Sequence, residues 1–417
     1  LAATIIIIRH IPFFTRPINP VLLSSAPFFV LGADLSKANA FKVHLEQVFK
    51  PFNLNNSSQK EEIENFLDVP CQMSLPIKHV TPAEVRQTVN KLNNKKSPGY
   101  DSISSMMIKS LPKKGMIFLT TLFNSILRLN YFPSQWKYAE IIMILKPNKQ
   151  ENVLTSYRPI SLLSIFSKIF ERILLERLLP VLDAQNIIPE HQFGFRNKHG
   201  TPEQCHRVVE VISNTLERKY YCSAVFLDIQ QAFDRVWHSG ILYKLKKLLP
   251  APFYLLLKSY LHQRRFYVSI NNECSEFGSI HSGVPQGSVL GPVLYTVFTS
   301  DMPTINGLTI ATYADDTAIM ASEESHIKAS DLLQNGLNHI QEWLNKWNIK
   351  VNMDKSVHIT FTLRKNDCPS VSLNGSSLPQ SKHVKYLGLY IDRRLTWGEH
   401  IKIKQLNTKT EKMYWLL

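Results

Sequence analysis

Between Ala38 and about residue 400 the chain alternates between two rhythms of apolar and polar positions. Ala40, Phe41, His44, Leu45 and Val48 recur at helical spacing, and a polar loop follows over residues 50–60. Thr81-Pro82-Ala83-Glu84 reads as a helix start, with Thr as N-cap, Pro in the first turn and Glu at the third position. That helix runs to about Lys91. Further helices are predicted over 114–129, 161–179, 202–217, 233–248, the apolar stretch from Gly291 to Thr299, and 326–347. Short strands are predicted at Ala139–Leu145, Ser223–Leu227, Arg264–Ile270, Phe277–Ile280, Leu308–Ala314, Thr317–Met320, Ile359–Phe361 and Val384–Tyr390. Helices mixed with antiparallel hairpins predict an α+β fold. No repeat and no Pro/Ser-rich linker divides residues 80–400, so this stretch reads as one cooperative body with two or three subdomains.

The first 35 residues break the pattern. Ile5–Ile8 and Val21–Leu31 are apolar, but Arg9, Arg16 and prolines interrupt them. Neither run reaches the roughly 18–20 residues that span a bilayer. Arg9 follows its apolar run, whereas a signal peptide carries its basic residues first. Residues 1–35 are therefore read as a poorly organised segment, residues 36–79 as a helical lead-in, and no membrane partner is expected. The chain begins with Leu and ends in MYWLL, so the expectation is a fragment cut from a longer reading frame.

Charge changes the picture. The 417 residues carry a formal net charge of +15, which points to a polyanionic partner. Lys95, Lys96, Arg158, Arg196 and Lys198 are read as lying in turns beside Gly, Pro or Asn, where they can reach phosphate. The five cysteines form no C-x-x-C pair, and none has a second Cys and a His at ligand spacing. Neither a disulfide framework nor a zinc site is expected on that ground.

Three segments carry candidate chemistry. In AVFLDIQQAFDRVW, an apolar strand ends at Asp228, and Asp234 follows six residues later, read as lying on the next helix and facing a structural partner. In GVPQGSVLGPVLY, Gly283, Gly287 and Gly291 with two prolines leave little side-chain bulk, so backbone can approach a ligand, and Gln286 adds an amide. In IATYADDTAIM, Asp315 and Asp316 fall at the tip of a strand–turn–strand. Each has an ordinary structural explanation in isolation: a helix cap, a turn before a core helix, an acidic surface hairpin. Acids arriving from separate strands at one sheet edge would suit Mg²⁺, which wants hard oxygen ligands.

The order of these segments is that of reverse transcriptase motifs. The chain resembles the reverse transcriptases of non-LTR retrotransposons, jockey-like elements in particular, through KKSPGYDSI, SYRPISLLS, HQFGFRNKHGT, FLDIQQAFDRVWHSG, SGVPQGSVLGPVLY, TYADDTAI, WLNKWNIKVNMDKS and VKYLGLYID. The resemblance covers about residues 80–400.

The resemblance implies a right-hand polymerase: helical fingers over 80–220, an antiparallel-sheet palm over 221–395, and the start of a truncated thumb over 396–417. It implies Asp228, Asp315 and Asp316 as catalytic, metal-binding acids for two Mg²⁺ ions, with Mn²⁺ as a substitute. Phe233 would gate the incoming sugar, Gln286 and Gly287 would line the nucleotide pocket, and Arg158 and Lys355 would hold phosphates. Tyr386, Leu387 and Gly388 would form a primer-grip hairpin. The implied partners are an RNA template, a DNA primer or target-site DNA, and dNTPs, in nucleus or cytoplasm. The family's upstream endonuclease and downstream Cys/His knuckle are not read here, and the thumb looks short. Two alternatives stay open: a catalytically silent nucleic-acid-binding remnant, and an RNA-dependent RNA polymerase, against which Phe233 speaks.

Overall fold

The computed structural model describes residues 33–52, 57–147 and 149–405. Most of the 1–35 segment and the end of the 396–417 segment lie outside them. The strands in chain order are β1 (Tyr138–Leu145), β2 (Tyr157–Leu162), β3 (Tyr221–Leu227), β4 (Arg264–Ile270), β5 (Glu273–Cys274), β6 (Gly278–Ile280), β7 (Leu308–Tyr313), β8 (Asp316–Glu323), β9 (Val357–Phe361), β10 (Ser372–Leu373), β11 (Ser376–Ser377), β12 (His383–Tyr386) and β13 (Leu389–Asp392). Helices and two main sheets together make the predicted α+β fold.

One sheet has the order β2-β1-β4-β5, with β6 also paired to β4. It is mixed rather than purely antiparallel, because β1 runs parallel to β4. Helix Asp34–Val48 lays Phe41, Leu45 and Val48 on it, against Ala139, Ile141, Phe266 and Val268. The second sheet has the order β7-β8-β3-β9 and is antiparallel throughout.

Strand β3 is buried along its whole length, which explains why YCSAVFL reads as a continuous apolar run. Its side chains alternate between two cores. Cys222, Ala224 and Phe226 join Ala318, Met320, helix Thr201–Glu217 and the β12–β13 hairpin. Val225 and Leu227 join Ile319, Ala321 and the buried stripe Leu333, Leu337 and Ile340 of helix His326–Lys346. Each large apolar side chain buried this way contributes about 1.5–3 kcal/mol, so a charge at Val225 would break the sheet's attachment to its helices.

The Thr81 start holds as a full capping box: Glu84 N donates to Thr81 Oγ1 at 3.3 Å and Thr81 N to Glu84 Oε2 at 2.7 Å. Arg177 adds an ion pair to Glu84 at 3.0 Å.

Several expectations are corrected. The polar loop over 50–60 gives way to helix Ser57–Asp68, anchored by buried Ile63, and Lys246 donates to its terminal carbonyls at Phe66 and Leu67. The helix expected from Ser161 begins at Ile165, because Ser161 belongs to β2, opposite Ile141. It then continues through Pro180 to Ala184, since Leu178 and Leu182 keep its face buried. The helix expected over 233–248 begins only at His238. Backbone bonds from Val284 N to Phe233 O and from Gly283 N to Val236 O hold the preceding residues in a turn. The single strand expected over 384–390 is a hairpin, β12 and β13, turned at Leu387 (φ 45°) and Gly388 (φ 87°). The strand expected over Phe277–Ile280 holds as β6, while β5 was not expected.

Candidate active site

The acid edge follows from strand register. Leu227 of β3 faces Thr317 of β8, so Asp228 and Asp316 are the next residues at the same end of neighbouring strands. Tyr313 pairs with Asp316 across the turn that contains Asp315. Ala314 adopts φ 57°, which lets the turn close directly before the two acids. Loss of solvation, then the Asp315 and Asp228 charges, push Asp316 up to about 6, against the pull of Lys385. Asp315 is also raised, first by burial and then by Asp228, with its own amide and Arg158 opposing. The Asp228 charge thus opposes ionisation of both Asp315 and Asp316, and Asp315 that of Asp316, an arrangement that a cation relieves.

Two loops clamp this edge from behind. Asn352 N donates to Asp228 O at 2.8 Å, and Asp228 N donates to Ser356 Oγ at 3.1 Å, so the NMDKS loop fixes the backbone at the end of β3. Lys355 in that loop lies 3.5 Å from Asp228 Oδ2. On the other side, Gln192 Oε1 accepts from Ala314 N at 3.0 Å and Gly194 N at 2.7 Å. Thr312 N and Phe193 N complete the attachment to β7 through His191 O and Thr312 O. A Cβ on Gly194 would lie 2.2 Å from Ala314 N, so only glycine lets the loop sit this close.

The Gly/Pro turn lies against both the β3 end and the first sheet. Ser161 N of β2 donates to Gln286 O at 2.9 Å, and a Cβ on Gly287 (φ 123°) would meet Ser161 O at 2.5 Å. Gln286 Nε2 donates to Asp234 Oδ1 at 2.8 Å. Asp234 is therefore in the turn before helix His238–Leu248, not on the helix, and its partner is Gln286. Fully buried Glu171 accepts from Val289 N at 2.8 Å and Leu290 N at 3.2 Å, anchoring the turn's far end. Phe233 is half-buried, stacked on Tyr295 at 4.7 Å and edge-on to the exposed Phe195 at 5.9 Å.

Opposite the acids stands the tip of the β1–β2 hairpin. Arg158, expected in a turn, lies on β2 opposite Ile144, exposed, and its charge acts on Asp315. Half-buried Lys146, just beyond β1, donates to Thr155 O at 2.7 Å. Burial lowers its pKa, and Lys355, Arg158 and Lys149 lower it further, while Asp234 opposes them. Arg158 therefore acts on Asp315 from the hairpin, Lys355 pairs with Asp228 on the acid side, and Lys146 feels the charges of both cations.

Asp228, Asp315, Asp316, Arg158, Lys355, Phe233, Gln286 and Gly287 all belong to this neighbourhood. Tyr386 lines the groove beside Asp228 and Asp316 but is almost wholly buried, edge-on to Phe226 at 5.3 Å, with its hydroxyl 3.4 Å from Ala311 O. It anchors the hairpin, and Lys385 and His383 line the same groove. Lys95, Lys96 and Lys198 are exposed turn residues, and Arg196 donates to Pro189 O at 3.4 Å. Sequence reasoning missed Lys146, Gln192, Glu171 and Ser356. The Lys-Pro pair after an apolar strand was the available signal for Lys146; the other three act through contacts more than a hundred residues away or on buried backbone, which spacing does not reveal.

A family model described as reverse transcriptase (RNA-dependent DNA polymerase) matches residues 144–391. The RNA-directed DNA polymerase from mobile element jockey of Drosophila melanogaster is 47% identical over 394 residues, which are 92% of this chain and 43% of that protein. The probable RNA-directed DNA polymerase from transposon X-element of Drosophila melanogaster is 44% identical over 391 residues, again 92% of this chain and 43% of that protein. The retrovirus-related Pol polyprotein from type-1 retrotransposable element R1 of Bradysia coprophila is 28% identical over 360 residues, 85% of this chain and 35% of that protein. The chain thus spans less than half the length of these relatives.

Proposed function

The chain belongs to the reverse transcriptase (RNA-dependent DNA polymerase) family, and on that footing we propose that it extends a DNA primer with dNTPs copied from RNA, as part of a jockey-like non-LTR retrotransposon. The observation that carries this reading is the register that brings Asp228 beside Asp316, with Asp315 in the same turn and a set of cations opposite. On this reading the β7-β8-β3-β9 sheet and its helices are the palm, over 221–395. Residues 80–220 are the fingers, and the thumb begins near 396.

The donor set fits a divalent ion. Among the described residues no group of three or more His, Cys, Asp or Glu is arranged to hold a metal ion by itself. Mg²⁺ is commonly held by one or two carboxylates, with water and substrate phosphates filling the other positions. Asp228, Asp315 and Asp316 would hold two such ions, or Mn²⁺ in their place. When bound, the metal lowers the pKa of the primer hydroxyl and offsets charge on the leaving pyrophosphate.

The protein's own residues do the rest. Arg158, Lys146 and Lys355 orient the triphosphate by charge, Arg158 by its planar fork and the lysines as point charges. Phe233, stacked on Tyr295, would stand beside the sugar of a nucleotide held at Asp228, where its ring would leave no room for a 2′-hydroxyl. That favours a DNA polymerase over an RNA polymerase. Gln286 and Gly287 line the same pocket, and the β12–β13 turn at Leu387 and Gly388 supports the primer end. An RNA template and target-site DNA would follow the basic face of the fingers. No helix among the described residues is long and apolar enough to cross a membrane; nucleus or cytoplasm is the expected compartment.

Primer extension tests the reading. The purified chain on poly(rA)/oligo(dT) with dTTP and Mg²⁺ should incorporate dTMP. Absence of incorporation, with the template bound, would leave the silent-remnant alternative standing.

A further inference from the structure

Asp234 has no part in the acid edge, yet the chain invests in it. The residue is 7% exposed. Its carbonyl accepts from Ser282 Oγ at 3.0 Å, and Gly283 (φ 91°) abuts its backbone so closely that a Cβ there would meet Asp234 O at 2.6 Å. The backbone carrying the carboxylate is therefore fixed. Gln286 is fixed as well, through Ser161 N on its carbonyl and the close contact of Gly287 with β2. Between the two runs the 2.8 Å bond from Gln286 Nε2 to Asp234 Oδ1.

An amide side chain alone on a surface can present either its NH₂ or its oxygen. A carboxylate accepts only, so it turns the NH₂ inward. Gln286 Oε1 has no donor bonded to it among the described residues, and Gln286 is partly exposed. We infer that Asp234 is a positioning residue that locks the Gln286 amide with its oxygen facing the cleft, as a fixed acceptor for a hydrogen-bond donor on the incoming nucleotide. The inference rests on the polymerase reading given above.

Burial pushes Asp234 up to about 7, against the Gln286 bond and the charges of Arg235 and Lys146. Above that pH it is ionised and can only accept, which is the state that holds the Gln286 NH₂ inward. A buried carboxylate fixed by a glycine turn and bonded to one amide serves that amide.

The test is single-nucleotide extension on poly(rA)/oligo(dT) with dTTP, alongside melting curves. At pH 8, Asp234→Leu should raise KM for dTTP by about tenfold, the loss of one hydrogen bond, with kcat within about threefold and the variant still folded at the assay temperature. Asp234→Asn, whose Oδ1 can still accept from Gln286, should restore most of the affinity. In a Gln286→Ala background, Asp234→Leu should add nothing further, because the residue acts only through that amide. Gln286→Glu should be impaired, since two carboxylates then face each other. Adding Asp234→Asn should rescue it: the Asn amide donates to one Glu oxygen and leaves the other facing the cleft. A wild-type KM in Asp234→Leu overturns the inference, as does a full additive effect in the Gln286→Ala background. So does a loss of Tm that accounts for the whole kinetic change. No extension by the wild-type chain would overturn the polymerase reading and this inference together.

Discussion

The Lys355 ammonium stands 3.5 Å from Asp228 Oδ2, although their side chains remain 67% and 38% exposed. A pair so well solvated is worth no more than about 1 kcal/mol. It is strong enough to bias the lysine toward the acid edge and weak enough for a divalent cation to displace. Lys355→Ala should therefore lower the half-saturating Mg²⁺ concentration in primer extension, by less than about fivefold, while raising KM for dNTP. A rise in the Mg²⁺ requirement would show that Lys355 does not compete for Asp228.

Asp315 lies in the turn between β7 and β8, raised by burial and by Asp228. Asp315→Asn keeps the size of the side chain and removes its charge. Extension should fall by at least about a hundredfold. Template binding, measured by fluorescence anisotropy, should change little, and should weaken steeply with salt in both proteins because phosphate contacts release counterions. Extension near the wild-type rate would refute the acid assignment.

Phe233 is half-buried and stacked on Tyr295. Shortening it to Val should therefore do two things at once. It should cost stability at the low end of the 1–3 kcal/mol range for large-to-small changes, about 1 kcal/mol, since the ring is only partly enclosed. It should also raise incorporation of rNTP relative to dNTP. Single-nucleotide extension with each, beside a urea melt, separates a sugar gate from a packing aromatic: only the former moves the ratio.

The second sheet and its flank contain two buried imidazoles. His358 bonds Ser223 Oγ at 2.8 Å and is lowered by burial to about 4, with Asp367 opposing. His191 is lowered to about 4 by burial and by Arg207. In both, the folded pKa lies below the unfolded value, so the unfolded chain binds protons first as pH falls. Stability present above about pH 6.5 is lost between about 6.5 and 4, at roughly 1.4 kcal/mol per pH unit for each proton. Asp234, raised to about 7, works in the opposite direction over much of the same window. The clean measurement is a difference: His358→Gln should flatten the fall in urea-denaturation free energy between pH 6.5 and 4. An equally steep fall in the variant would mean that His358 titrates normally.

The sequence was most readable where local signals and burial agree. The continuous buried runs of β3 and β8, the Thr81 capping box and the Asp-Asp hairpin tip all carry their own pattern. Residues 233–237 were misread because their helical propensity yields to hydrogen bonds from residues 283 and 284, some fifty positions away. Ser161 was assigned to a helix because nothing local announces its pairing with Ile141 or its bond to Gln286 O. The acids of the site were legible as types; their clamps, Gln192, Ser356 and the carbonyl of Asp228, were not, since each acts on backbone supplied by a distant segment. Tyr386 was legible as part of a hairpin but not as its buried anchor.

The cation-bearing hairpin and the acid-bearing strands belong to different sheets. One rests on a core of Phe41, Phe266 and Val268, the other on two cores that share none of those residues. Repacking Phe266 can therefore tilt Lys146 and Arg158 without changing the spacing of the three acids, and repacking Met320 can shift the acids while the cations stay put. The width of the cleft is a property of neither sheet. It depends on contacts between the two, among them the 2.9 Å bond from Ser161 N of β2 to Gln286 O of the Gly/Pro turn.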